Sequence, residues 1–162
     1  MSNLTSTPDP ARIAAAAFAD RQAQARRMVR DRAMPLAEAE RRLAPWLAIA
    51  CLAGADLPEL AAPLADRVTR DLSDHYQITE AMARAELAPT ICPRARWAPL
   101  LGAARDAALR RADAVSGSAR SRPDETADAL EQARGLQALA AALCWDPMGR
   151  HHVPAYHQKE AA

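Results

Sequence analysis

From Leu43 to Gly54 the chain reads LAPWLAIACLAG, with apolar residues on every side of a helix. A helix hydrophobic all round belongs in a protein interior. Twelve helical residues span only ~18 Å, short of the ~20 residues that a membrane crossing needs. The stretch therefore predicts a central core helix with Trp46 as its largest anchor, and the remaining segments are expected to wrap it.

Asp9-Pro10 has the form of a helix start, with Asp as N-cap and Pro at the first helical position. That helix is expected to run to about Ala33, with Pro35 stopping it. At 100° per residue Ala17, Phe18, Ala25, Met28 and Val29 share one side, and Arg12, Arg26, Arg27 and Arg30 gather opposite. Arg21 and Arg32 fall inside the apolar arc, so the core is expected to cover this helix only in part. From Leu36 a second helix leads into the core run, where Pro45 must either kink it or open a separate helix. Gly54 is a natural stop.

Asp56 and Glu59 offer an N-cap and its capping-box partner. Leu57, Leu60, Leu64, Val68 and Leu72 then recur at helical spacing. Asp74 with Gln77 offers another capping box, ahead of a shorter helix through Ile78, Met82 and Ala85 with Glu80 and Arg84 paired at i,i+4. Residues 89–93, PTICP, read as a rigid linker. Trp97, Leu101, Ala104, Ala108, Ala112 and Val115 form a seam of alternating four and three, suited to antiparallel packing in a bundle. Pro123-Asp124-Glu125 opens a last long helix, with acid at its positive end. The apolar run at 136–145 is expected to lie against the Leu43–Gly54 helix.

Composition agrees with the pattern. Hydrophobic residues make up 50% of the 162 and aromatics 4%; Ala supplies more than half of the apolar share. Ala has the highest helix propensity and little volume, so an Ala-rich core lets helices approach closely. Few β-branched or aromatic residues argue against a sheet. The expected fold is all-α: one domain over 1–162, a compact bundle of five to six helices, orthogonal or up-down. Residues 1–8 and 116–122 are expected to be flexible and 146–162 to form an irregular tail.

Charge is balanced, 21 basic against 20 acidic residues with a formal net of +1, so no global field draws the chain to nucleic acid or acidic lipid. An odd cysteine count (Cys51, Cys92, Cys144), two of them in apolar runs, reads as reduced thiols rather than a disulfide frame. With no export signal in the pattern, a cytoplasmic location is expected.

Four constellations bear on chemistry. Cys144, His151, His152 and His157 lie close in sequence, as zinc ligands can, but match no zinc spacing, so no metal and no cofactor is expected. Asp71 falls on the inward stripe four residues before His75, a pair able to act as base or metal ligands; a satisfied structural pair is the simpler reading. Ala50, Gly54 and Leu60 have the spacing of a helix-turn-helix turn. Pro58 and Pro63 would then interrupt the recognition helix, however, and Asp56 and Glu59 stand where Arg or Asn would read bases. The segment 89–122 holds seven Arg against two Asp; Arg110 is expected to pair with Asp106 or Asp113, and Arg105 and Arg111 with Arg26, Arg27 and Arg30 form an arginine set able to meet phosphates. No phosphate-cradling glycine loop or nucleophile elbow is present.

The expected function is a small non-enzymatic interaction or adaptor protein, working through exposed helical faces on a protein partner or a second copy. Phe18, Met28 and Val29 on the interrupted apolar arc are the expected contact surface. The alternatives are nucleic-acid binding through the arginine set, and an enzyme built on Asp71 and His75 or the tail histidines.

Overall fold

A computed structural model of the chain describes residues 7–73 and 79–143, the side chains of 69–73 excepted. The described residues form six helices and no strand, as the composition requires. The first is α1 (Pro10–Arg30), and the second, α2 (Leu36–Leu52), contains the apolar run. Next come α3 (Pro58–Ser73) and α4 (Glu80–Ile91). The last two, α5 (Arg94–Ser116) and α6 (Pro123–Ala142), form a hairpin. Among these, no helix is long and apolar enough to cross a membrane.

At its start α1 is capped as expected: the Asp9 carboxylate accepts from Ala11 N–H at 3.1 Å, ahead of Pro10. It ends three residues sooner than the apolar pattern suggests. Ala33 N–H donates to the Met28 carbonyl at 2.8 Å and Arg32 N–H to Val29 at 3.1 Å. This pair of bonds defines a Schellman turn, which needs a left-handed residue after the cap. Arg32 takes that position at φ 55°. The end of α2 repeats the motif with glycine: Gly54, at φ 83°, donates to Cys51, and Ala55 donates to Ala50.

Across Pro45 α2 runs unbroken, so the core run is the second half of one helix and not a separate one. Glu38, in its first turn, bonds Arg42 and Arg41. The Arg42 hydrogen bond, followed by the nearby charge of Arg41, holds its carboxyl below the ordinary glutamate range. Likewise α4 continues through Pro89 to Ile91, which reduces the expected five-residue linker to Cys92-Pro93. Leu87, Ala88 and Cys92 are all buried there, so packing outweighs the proline. The Thr79 hydroxyl caps α4, accepting from Met82 N–H at 3.2 Å; the expected Asp74–Gln77 box lies outside the described residues.

One large core joins Phe18, Trp46, Ile49, Trp97, Leu101, Leu136 and Leu139, with alanines such as Ala48, Ala98 and Ala140 between them. Its seven-residue anchor set comes from four helices, and the alanines are what let those backbones close up. A second cluster (Cys51, Leu60, Leu87, Ala88) ties α3 and α4 to the end of α2. A third (Ala25, Met34, Ala39) lies beneath the α1–α2 turn. The two apolar runs share one interior, since Trp46 and Leu139 are both buried in it. Their neighbours differ from the expectation: α6 packs chiefly on α5 and α1, while α2 packs on α1, α4 and α5.

Candidate functional site

Most of the expected site residues are not on one surface. Phe18 is 3% exposed and belongs to the main core, so it cannot meet a partner on a folded molecule. Met28 and Val29 are half-buried against the third cluster beneath the α1–α2 turn. The sequence pattern missed this because the cover comes from Met34, Ala39 and Leu43, on the far side of a turn.

The arginine set also divides. Arg105 is 8% exposed and its guanidinium pairs with Asp106 at 2.9 Å, one of the two carboxylates expected to hold Arg110. A buried, paired cation is not a phosphate contact. Arg26, Arg27 and Arg30 are exposed on α1, with Arg30 3.5 Å from Asp31. Arg111 lies elsewhere, in a groove with acidic residues. Asp71 is on α3 with its side chain outside the description, and His75, Cys144, His151, His152 and His157 lie outside the described residues. Among the described residues no three His, Cys, Asp or Glu side chains are grouped to hold a metal ion.

That groove is a cleft of about 390 Å³ between α1, α6 and the C-terminal half of α5, one of several on the described chain. Ile13, Ala16 and Ala17 of α1 and Ala129 and Leu136 of α6 give it apolar walls. The two helices are close at Gly135, where an added Cβ would stand 3.3 Å from Ile13 Cδ1. A small residue at this crossing brings α1 near α6 and leaves the groove open beside it. Beyond the crossing, Ile13 and Gly135 also line a second cleft of about 450 Å³ with Pro8, Ala127, Leu130 and Arg134. Leu130, 38% exposed, is one of the large apolar side chains left open to water.

The charges are arranged by depth. Arg12, Asp20, Arg111, Asp128 and Glu131 are exposed around the mouth, and Arg21 is half-buried on the wall. The guanidinium carbon of Arg21 lies 3.4 Å from the Trp46 ring centroid, and Nη1 donates to the Ala17 carbonyl at 2.9 Å. Burial pulls its pKa below the ordinary arginine range, while Asp20 acts in the opposite sense. The signal for it was present in the sequence, as a charge inside the apolar arc of α1. Its stacking partner on α2 was not.

Another buried cation, Arg84 of α4, has a different task. Its Nη1 donates to the carbonyls of Cys51 at 3.2 Å and Ala55 at 2.9 Å, and Nε donates to Glu80 at 2.9 Å. The expected Glu80–Arg84 pair is therefore present, and it carries the arginine into the α2–α3 turn. Cys51 Sγ lies 3.6 Å from the Arg84 carbonyl, and burial raises its thiol pKa against the opposing charges of Arg84 and Arg67. A buried thiol held protonated is a poor nucleophile.

No family model, curated protein or solved structure matches this chain. The fold and the groove together define, over the described residues, an all-helical protein with a charged-rim cleft between α1 and α6.

Proposed function

We propose that this chain is a small helical interaction protein that seats a segment of a protein partner in the groove between α1, α5 and α6. The observation that carries the reading is the groove itself: apolar walls, a rim bearing both signs of charge, and a continuation past Gly135 to exposed Leu130. Apolar floors with a polar, charged rim are the usual anatomy of protein docking sites. The contact surface is thus moved from the covered face of Phe18, Met28 and Val29 to the neighbouring face of the same helix. Two buried free thiols, Cys51 and Cys92, suit a reducing compartment such as the cytoplasm.

A photo-crosslinking residue placed at Ala16, inside the groove, tests this in the native cell, with Ala95 on the exposed side of α5 as control. A discrete adduct from Ala16 and none from Ala95 is expected. Equal labelling from both positions, or none from Ala16, would overturn the reading. A salt-dependent shift of nucleic acid, lost when Arg26, Arg27 and Arg30 are changed to Gln, would replace it with the phosphate-binding alternative.

A further inference from the structure

Arg21 is set apart from the other charges of the groove by its depth. Arg12, Asp20, Arg111, Asp128 and Glu131 stand exposed and are solvated without help. Arg21 is half-buried, its guanidinium laid on the face of Trp46, and a partly desolvated cation gains more from a counter-ion than an exposed one does. A guanidinium carries five N–H donors in a planar fork that matches a carboxylate. The Trp46 ring satisfies its underside, and the Ala17 carbonyl takes one donor of Nη1. Among the described residues no carboxylate lies within ion-pair distance of it. Arg111 lines the same cleft and is likewise without an ion pair among the described residues. Ala16, Ala17 and Leu136 give the same cleft apolar surface, and Arg21 also borders the neighbouring α1–α2 cleft that Trp46 lines.

Building on the docking role proposed above, we infer that the partner segment presents a carboxylate between aliphatic side chains, and that Arg21 receives it, with Arg111 as a second, outer cation. The aliphatic groups lie on the alanine-lined walls. The acids at the mouth, Asp20, Asp128 and Glu131, disfavour a segment with further negative charge, so the fit selects one buried carboxylate and not an acidic run. A structural role alone, as the lid of Trp46, would make Arg21 matter to stability and leave the charge of a bound segment irrelevant.

The test uses three blocked peptides, acetyl-Ala-Leu-Glu-Leu-Ala-amide and its Gln and Lys counterparts, titrated into the 15N-labelled full chain. The readouts are the amides of Ala16, Ala17 and Gly135 and the indole N–H of Trp46. The Glu peptide is expected to bind about tenfold more tightly than the Gln peptide, and the Lys peptide most weakly. In Arg21→Gln the Glu and Gln peptides should bind with equal affinity. Arg111→Gln, at an exposed position, should cut the discrimination by about threefold. Equal binding of all three, preference for the Lys peptide, or no shift up to about 5 mM would overturn the inference. Tighter binding of free hexanoate than of the Glu peptide would overturn it too, because the ligand would then be a small carboxylate. A crosslink from Ala16 without peptide discrimination removes the carboxylate and keeps the docking groove. Discrimination without a crosslink keeps an anion site and removes the partner.

Discussion

The guanidinium of Arg96, on α5, donates to the backbone carbonyl of Arg41, on α2, at 3.2 Å. That carbonyl would otherwise accept from the N–H of residue 45, and Pro45 has none. A side chain from a neighbouring helix thus supplies the donor that a buried proline removes from the middle of the core helix. The relation predicts a coupling between the two positions. Arg96→Ala should destabilise the chain by about 0.5–1 kcal/mol, and by close to nothing in a Pro45→Ala background, where the backbone makes the bond itself. A double-mutant cycle by urea unfolding measures this; equal costs in both backgrounds would show that the contact is incidental.

Arg84 should matter more. It is 8% exposed and holds the carbonyls of Cys51 and Ala55, so Arg84→Met leaves those acceptors and the Glu80 carboxylate without their donor. A loss of about 2–3 kcal/mol is expected. Glu80→Gln should cost under about 1 kcal/mol, since that carboxylate is largely in water. Thermal or urea unfolding decides the order, and a larger effect at Glu80 than at Arg84 would contradict it.

The two Schellman turns make a matched pair. Arg32 adopts the left-handed conformation with a side chain, and Gly54 adopts it without one. Arg32→Gly should therefore stabilise by about 0.5–1 kcal/mol, and Gly54→Ala should destabilise by about 1 kcal/mol. No atom lies within 4 Å of a Cβ built at Gly54, so the second effect is one of backbone alone.

Alkaline pH should weaken the fold through its thiols. Burial raises the pKa of both Cys51 and Cys92 above the ordinary thiol value. Unfolded, each ionises near about 8.5, while the folded chain keeps its proton. Above that pH the unfolded state holds fewer protons, so stability is intact below about pH 8.5 and falls as pH rises toward the folded values. The urea midpoint is expected to decline from pH 8 to 10, less steeply in Cys51→Ala. A slope unchanged by that substitution would assign the decline to other groups.

Local chemistry accounts for what was legible without coordinates. The Asp9-Pro10 start, the Gly54 stop, the Pro123 start and the Trp97-to-Val115 seam are each decided by a few adjacent residues, through capping, backbone freedom or helical period. These were enough to determine an all-α chain and the burial of Trp46 and Leu139. Prolines misled where the decision was made elsewhere. Pro89 stays helical because Leu87, Ala88 and Cys92 are pulled into the interior, and Pro45 lies within a helix whose free carbonyl Arg96 caps.

The candidate site depended still more on tertiary structure. Residue type and spacing put Arg105 in a phosphate-meeting set and Phe18 on a contact surface, yet Asp106 and the main core claim them. The same spacing gave no sign that Gly135 would meet Ile13, or that Arg21 would lie on Trp46. Helical period fixes which residues share a side of one helix. Which neighbour covers that side depends on how six helices divide a limited apolar surface among themselves, and only the folded chain decides that.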